Sequence, residues 1–342
     1  MLFGCTSLRD PPFNENYRVA LRGWCPFPRA AWPRPTQSLS MVDFDGRCRL
    51  PCLARQLFRR RCFPCSVNPC STLPPPPHYT NSVEEVNSLR EVQALRRLGS
   101  HANIVNMIDV IYNERNQTLD LVCELMDMNI YEKIRDRDTL LPEKVVKSYM
   151  YQLTKALDHM HRNLIFHRDV KPENILINDK TQTLKLADFG SCRGRQSKAP
   201  FTEYISTRWY RAPECLLTNG YYNEKMDLWS IGCVFFEILT LRPLFPGTDE
   251  IDQIAKIHEV LGTPPAGVLN KIRKNSMHMK FSFPITAGVG LESRLSADCR
   301  HDVQCLDLMR ALLEYDPETR LTTRQALRHP YFAENRYVLE LK

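Results

Sequence analysis

The sequence predicts an α+β protein in which a helix and a short strand pair precede a large helical part. Three observations support this prediction: apolar residues recur at helical spacing near residue 90, two apolar runs then flank a polar turn, and the periodic segments after residue 214 are mostly helical. This order of elements is typical of an α+β fold in which one part is dominated by helices.

The first predicted element is an amphipathic helix over residues 82–98. Its apolar face consists of Val83, Val86, Leu89, Val92, Leu95 and Leu98. Ser82 and Glu85 form a predicted capping box at its start. Glu91 lies within or at the rim of the apolar face, and a buried carboxylate needs a cation because an unpaired buried charge is costly.

The later elements follow from the same patterns. Apolar runs over 104–112 and 119–125 flank the polar turn NERNQ and predict an antiparallel strand pair. A long helix is predicted over 142–163, with Pro142 at its start. The segments NILI and LKLA are expected to pair around a turn near 178–183. Further helices are predicted in KMDLWSIGCVFFEILT, IDQIAKIHEVLG, VQCLDLMRALLEYD and TTRQALRHPYF.

The amino-terminal segment differs from the rest of the chain in composition. Residues 1–80 hold 11 Arg, no Lys and 4 acidic residues, so they carry the whole net charge of +7. They also hold 7 of the 13 Cys and 13 of the 24 Pro. We therefore predict that residues 1–79 form a disordered Arg/Pro/Cys-rich segment. The other cysteines are scattered singly, as expected for reduced thiols in a cytosolic or nuclear protein.

Three further interpretations of this segment stay open. Its cysteines Cys48, Cys52, Cys62, Cys65 and Cys70 include spacings that suit zinc. The stretch RQLFRRRCF at 55–63 has the composition of a nuclear-localisation or nucleic-acid patch. The lysine-free composition also fits a segment that replaces the true first exons, through alternative splicing or a gene-model error.

Four stretches that carry chemistry occur in a fixed order. They are FHRDVKPEN at 166–174, ADFG at 187–190, TEYISTRWYRAPE at 202–214 and DLWSIGC at 227–233. With these motifs in this order and spacing, the sequence resembles a eukaryotic protein kinase. The phrase WYRAPE, the TEY motif and the insert-like LGTPP liken it to the branch that contains the mitogen-activated and cyclin-dependent kinases.

The resemblance implies a protein-kinase fold with an intact helical C-lobe and a truncated N-lobe. The kinase domain would occupy residues 80–335, with a partial N-lobe at 80–126, a C-lobe at 127–335 and a tail at 336–342. The implied activity is transfer of the ATP γ-phosphate to Ser or Thr of protein substrates, at sites followed by proline. ATP and Mg²⁺ are the implied cofactors.

The resemblance also assigns roles in phosphoryl transfer, which needs alignment and charge neutralisation more than covalent help. Asp169 would accept or orient the proton of the substrate hydroxyl, and Lys171 would contact the γ-phosphate. Asn174 and Asp188 would hold Mg²⁺ through hard oxygen ligands.

The adenine pocket is expected at the end of the second predicted strand. Cys123 matches the residue that gates the back of this pocket. Glu124 and Met126 fall in the hinge, whose backbone groups would hydrogen-bond adenine.

Regulation is expected in the stretch between the D-F-G and A-P-E motifs. Thr202 and Tyr204 resemble a dual-phosphorylation motif, whose phosphates order a loop when arginines are near. Arg168 is the expected partner of a phosphate on Thr202, and Arg208 and Arg211 are expected for Tyr204. Arg211 also resembles the arginine that shapes a proline-directed substrate pocket.

The remaining implied features concern stability and partners. Glu214 and Arg320 would form a buried structural ion pair. The expected partners are protein substrates and an upstream activating kinase, with a monomeric chain and neither nucleic acid nor membrane. The expected location is the cytoplasm and nucleus, with the cilium as a further candidate.

Two parts of the kinase pattern have no match upstream of the first helix. The glycines before residue 99 are Gly4, Gly23 and Gly46, so no G-x-G-x-x-G is present there, and the first lysine is Lys133. A kinase uses such a loop and lysine to hold the phosphates, and the lysine also pairs with the glutamate at the position of Glu91. The alternative function is therefore a catalytically impaired splice form, or a pseudokinase-like binding or decoy protein. The first helix is then expected to be mobile or misplaced. Glu91 is expected to find at best a substitute partner, such as a nearby arginine.

Overall fold

A computed structural model describes residues 89–113, 118–197, 201, 208–274, 283–296 and 302–334. The predictions for residues 1–79, including the zinc site and the basic patch, lie outside the described residues, as do Thr202 and Tyr204. The described residues divide into two units. The smaller is Met107–Leu125, and the larger combines residues 89–106 with 126–334.

The smaller unit is the predicted strand pair. Strands β1 (Met107–Asn113) and β2 (Thr118–Cys123) are antiparallel, with an irregularity in register between Met107 and Asp109. The first strand starts later than predicted. Ile104 instead forms an isolated bridge with Leu186 in the larger unit, so the apolar run that begins there is shared between two structures.

The first helix of the larger unit, α1, spans Arg90–Leu98. Its residues Val92, Leu95 and Leu98 are buried, which confirms this part of the predicted face. The predicted start is wrong for this helix, because Leu89 at its N-cap is extended and no side chain caps it. Ser82 and Glu85 lie outside the described residues.

The predicted helices and strands of the larger unit occur in the predicted order, and six short elements that the sequence did not predict lie between them. The helices are α2 Ile130–Ile134, α3 Glu143–Arg162, α4 Pro213–Leu217, α5 Met226–Thr240, α6 Glu250–Leu261, α7 Ala266–Lys274, α8 Val303–Leu312 and α9 Thr323–Leu327. The strands are β3 Met128–Asn129, β4 Ile165–Phe166, β5 Ile175–Asn178, β6 Thr183–Leu186 and β7 Arg193–Gly194. The six elements that were not predicted are α2, α4, α7, β3, β4 and β7. β5 pairs antiparallel with both β3 and β6, and β4 pairs antiparallel with β7.

Helix α5 forms the centre of the larger unit. Every residue from Met226 to Leu239 is buried, as expected for a helix that is covered on all sides. It contacts α3, α8 and the short 3₁₀ helix Arg208–Tyr210. None of the described helices is long and apolar enough to cross a membrane. The sparse strands and the helical larger unit confirm the predicted α+β class.

Candidate active site

The segment between β4 and β5 brings together Asp169, Lys171 and Asn174. The Lys171 ammonium lies 2.8 Å from Oδ2 of Asp169. The Asn174 amide donates to the same oxygen at 3.0 Å and to the Asp169 carbonyl at 2.8 Å. The other carboxylate oxygen, Oδ1, has no donor among the residues that the structure describes. It is therefore the oxygen that can accept an incoming proton.

Asp227, at the start of α5, holds the backbone of this loop. Its carboxylate accepts the N–H groups of His167 at 2.8 Å and Arg168 at 2.9 Å, and a ring N–H of His161 at 2.8 Å. Complete burial opposes its ionisation, but the hydrogen bonds from His161 and from the backbone of Arg168 help to outweigh burial and lower its pKa. The site in the helix's first turn also favours a negative charge. The motif DLWSIGC marked this residue in the sequence, but its role comes from the structure.

His167 joins the loop to the segment that carries Asp188. Its Nδ1 accepts the N–H of Asp169 at 3.2 Å, and its Nε2 lies 3.0 Å from the carbonyl of Ala187. This pattern requires a neutral ring with its proton on Nε2. The ring also meets Phe189 edge-on at 5.4 Å. The two segments are thus fixed to one another within one core.

Asp188 and Asn174 offer the oxygen atoms that Mg²⁺ prefers. Asp188 adopts a left-handed backbone with φ of 63°, and its Oδ1 accepts the N–H of Gly190 at 3.4 Å. Its Oδ2 has no donor among the described residues. Since the Asn174 amide nitrogen is used in hydrogen bonds to Asp169, its amide oxygen is turned away from them. A carboxylate and an amide oxygen fit Mg²⁺, which completes its shell with water and phosphate oxygens.

Helix α1 packs against the 3₁₀ turn Phe189–Ser191, which follows Asp188 directly. At its other end, the ring of His159 hydrogen-bonds the carbonyl of Leu98 at 2.8 Å. Glu91 is half-buried on the side of the helix near this turn. Burial raises the pKa of the Cys192 thiol there, and the charges of Asp227 and Glu91 raise it further. Helix α1 is thus packed in the larger unit at both ends, and the expectation that it is mobile or misplaced stays a prediction.

Arg168 contacts Phe201 and residues on either side of the region where regulation is expected. One of its nitrogens donates to the hydroxyl of Tyr222 at 2.6 Å, and another to the carbonyl of Ser191 at 3.1 Å. Its guanidinium also lies over the rings of Phe201 and Tyr222, at 5.9 and 5.6 Å. Phe201 is the residue immediately before Thr202, so Arg168 is close to the expected phosphorylation site.

A second arginine, Arg193, lies within electrostatic reach of both Arg168 and Arg90, and the sequence did not single out Arg193 or Arg90. Burial lowers the pKa of Arg193, and the positive charges of Arg168 and Arg90 lower it further. Arg193 therefore lies within electrostatic reach of two other cations, Arg168 and Arg90. Such crowding favours an anion, because a phosphate would offset the repulsion. A usable signal was present, since Arg90 precedes Glu91 and Arg193 follows the D-F-G motif closely.

Arg208 is the first residue of the 3₁₀ helix Arg208–Tyr210, and Arg211 follows it directly. The N–H of Arg211 donates to the carbonyl of Arg208 at 3.0 Å, and the Arg211 side chain is buried. Burial also lowers the pKa of Arg211. Tyr210 donates its hydroxyl to Oε2 of Glu237 at 2.8 Å. This turn is thus attached to α5.

Glu214 and Arg320 form a bidentate ion pair with distances of 2.6 and 2.9 Å. Their side chains are 3% and 0% exposed. Arg320 also donates to the carbonyl of Lys225 and stacks over Trp229 at 5.3 Å. The pair therefore joins α4 to the segment before α9.

The residues predicted for the adenine pocket fall at the end of β2. Cys123 is the last residue of that strand and is buried, and Glu124 is half-buried next to it. Both belong to the smaller unit, whereas Met126 is buried in the larger one.

Comparison with known proteins places this geometry in a family. Residues 77–332 match the family model described as protein kinase domain. The chain is 59% identical over 258 residues to the human MAPK/MAK/MRK overlapping kinase, covering 75% of this chain and 59% of that protein. The mouse protein of that name gives 59% identity and covers 60% of its own length. Mouse serine/threonine-protein kinase MAK is 41% identical over 251 residues, or 73% of this chain and 39% of MAK.

The family model covers more than half of the chain, and the relatives confirm the predicted branch and its resemblance to the overlapping kinase. The chain spans about 59% of the length of the human relative. The catalytic motifs named from the sequence all fall within the matched residues. The chain therefore belongs to the protein kinase family.

Proposed function

We propose that this chain is a protein serine/threonine kinase that transfers the γ-phosphate of ATP to protein substrates. The observation that carries this proposal is the arrangement of Asp169. Lys171 and Asn174 hold one of its oxygens, while Oδ1 stays open for a proton. Its relatives are named as serine/threonine-protein kinases, which supports the same activity here.

Each residue has one physical task in this reaction. Oδ1 of Asp169 orients the substrate hydroxyl and takes its proton as the oxygen–phosphorus bond forms. The Lys171 ammonium stabilises negative charge on the transferred group. Asn174 and Asp188 would hold Mg²⁺, which supplies neutralisation of the phosphate charge when ATP is bound. Asp227 keeps the loop in position through its backbone hydrogen bonds.

We further propose that phosphorylation of Thr202 by an upstream kinase regulates the chain. The position of Arg168 over the ring of Phe201, with Arg193 within electrostatic reach, supports this, because a phosphate there gains charge-assisted hydrogen bonds. Arg208 would serve a phosphate on Tyr204. The proposed targets carry proline after Ser or Thr, and Arg211 shapes the proline pocket.

The family resemblance extends this proposal to the cell. The chain would act as a monomer in the cytoplasm and nucleus, or at the cilium. These locations are tested by imaging the tagged full chain.

The second candidate function is a binding or decoy protein built on the kinase fold. The specific observation is that no lysine precedes Lys133 and no G-x-G-x-x-G precedes Glu91 in this sequence. Without these groups, the charge on the ATP phosphates would be less well neutralised.

Two measurements on the full chain separate the candidates. The kinase proposal predicts a thermal shift with Mg²⁺·ATP and phosphate transfer to a Ser-Pro peptide, with less transfer to the matched Ser-Ala peptide. Peptide binding with neither a shift nor transfer would overturn the kinase proposal and support the binding protein.

A further inference from the structure

A cavity of about 530 Å³ lies in the larger unit, away from the Asp169 site. It is bounded by the carboxyl end of α3, the start of α5 and the start of α9. Ionisable side chains line it, including His161, Arg162, Arg195, Lys225 and Arg324. Neither the proposed phosphoryl transfer nor the arginines near Thr202 use this cavity.

Two of the four lysine and arginine side chains in this cavity are paired with carboxylates. Arg162 lies 3.6 Å from Asp158, which also accepts the hydroxyl of Thr323 at 2.9 Å. Arg195 lies 3.2 Å from Glu224. These pairs account for both carboxylates in the cavity wall.

The other two cations, Lys225 and Arg324, have no carboxylate within ion-pair distance in the described part of the chain. Lys225 donates to the carbonyl of Arg320, which leaves its positive charge unbalanced. Burial lowers the pKa of Lys225, and the positive charge of Arg320 lowers it further. The cavity therefore carries a residual charge of two positive units from these two side chains.

We propose that this cavity binds the dianionic phosphate of a phosphate monoester. Its two negative charges match the unpaired charges of Lys225 and Arg324. Hydrogen bonds between a cationic donor and a phosphate are among the strong ones in proteins. The hydroxyl of Thr322, also in the wall, adds a neutral donor.

The cavity is large enough to hold a phosphate together with the group that carries it. Ligand pockets commonly have volumes of roughly 300–1,000 Å³, and one water takes about 30 Å³ of liquid. The group that bears the phosphate therefore also fits, whether it is a phosphorylated side chain or a small phosphorylated molecule.

The wall of the cavity continues into the active site. His161 lines the cavity and donates to Asp227 at 2.8 Å, and Asp227 accepts the N–H groups of His167 and Arg168. A ligand that orders His161 would therefore order the backbone of the catalytic loop. The expected sign is slower amide hydrogen exchange at His167 and Arg168 when the cavity is filled.

The test uses the folded full chain at pH 8, with three probes at matched ionic strength. These are inorganic phosphate, a phosphoserine peptide and the same peptide without phosphate. Titration calorimetry measures affinity, and hydrogen exchange locates the site. Arg324→Gln removes an exposed cation without an observed partner. Arg242→Gln is the matched control, because Arg242 is exposed beyond the opposite end of α5.

The phosphorylated probes should protect the ends of α3 and α9, and the unphosphorylated peptide should not. Arg324→Gln should weaken binding by about tenfold, as expected for loss of one charge-assisted contact, with a change below about twofold for Arg242→Gln. Binding of the peptide alone would identify a phosphorylated segment as the source, and binding of phosphate alone a small molecule. The proposal fails if no probe protects these segments, or if both variants bind like the original chain.

An Arg193→Gln variant separates this cavity from the arginines near Thr202. The protection at α3 and α9 should persist in that variant. If Arg193→Gln loses this protection and Arg324→Gln keeps it, the phosphate binds at the arginines near Thr202, and the proposal is overturned.

Discussion

Asp227 holds the backbone of His167 through a buried hydrogen bond of 2.8 Å, although the two residues are sixty positions apart. The same carboxylate also accepts from Arg168 and His161. Since both carboxylate oxygens accept hydrogen bonds inside the core, the geometry of the catalytic loop depends on this one side chain.

Replacing Asp227 by Asn should therefore disrupt both the fold and the site. An amide has only one accepting oxygen, so its N–H₂ would face a backbone donor. We expect a loss of about 3–5 kcal/mol in the free energy of unfolding, as for breaking a buried charged network. Denaturant titration measures this loss. Asp307→Asn, at a largely exposed residue, is the control, and an equally small effect from both substitutions would contradict the role of Asp227.

Replacing Glu214 by Gln should destabilise the chain because it leaves Arg320 charged and buried. The expected cost is about 3–5 kcal/mol, since an uncompensated buried charge is far more costly than a lost surface pair. The matched control is Glu259→Gln, which breaks the surface pair with Arg294 at a cost of about 0–1 kcal/mol. Thermal unfolding gives the melting temperature of each variant, and we expect a much larger decrease for Glu214→Gln than for Glu259→Gln. Similar melting temperatures would show that the pair contributes no more than a surface contact.

His101 should make the chain less stable in mild acid. Burial and, to a smaller extent, the positive charge of His159, stacked 4.6 Å away, together lower its pKa from 6.5 to about 4. Between these values the unfolded chain binds the proton and the folded chain does not, so stability falls as the pH falls. His101→Gln should lose less stability than the original chain between pH 6.5 and 4. Parallel stability curves for the two proteins would rule out this role of His101.

Glu237 should make the chain less stable as the pH rises, which is the opposite of the effect of His101. Burial raises its pKa from 4.5 to about 7, despite the hydrogen bond from Tyr210. The folded chain then holds the extra proton between these values, so the contribution to stability is lost as the pH rises through 7. Glu237→Gln keeps an acceptor for Tyr210 without the charge. Its melting temperature relative to the original chain should increase from pH 5 to pH 8, and an unchanged difference would contradict the shift.

The sequence was sufficient where a pattern is local and long. Helix α3 was predicted within one residue at each end, because its apolar face repeats over several turns and Pro142 precedes it. The start of α1 was missed because Leu89 is extended, and no local residue type signals that change. The turn between β5 and β6 was found because polar residues separate two short apolar runs.

The site residues that belong to a known sequence motif could be predicted. Contacts between distant segments could not, because they depend on how the chain packs. Asp169, Lys171 and Asn174 were named from one stretch, and the structure brings them into contact. The effect of Arg90 and Arg168 on Arg193 involves three separate segments, so neighbouring motifs could draw attention to these arginines but could not show that their charges interact. The left-handed backbones of Arg168 and Asp188 were equally hidden, because neither residue is a glycine.

The central claim is that Asp169 drives phosphoryl transfer, and one measurement tests it most directly. Transfer of labelled phosphate from Mg²⁺·ATP to a Ser-Pro peptide is compared between the full chain, Asp169→Asn and Asp136→Asn. Asp136 is an exposed residue with positive φ that Asn tolerates, so it is a matched control. We predict transfer by the full chain and the control, and a loss of about 10²-fold or more in Asp169→Asn. Equal transfer by all three proteins, or none from the full chain, would contradict the claim.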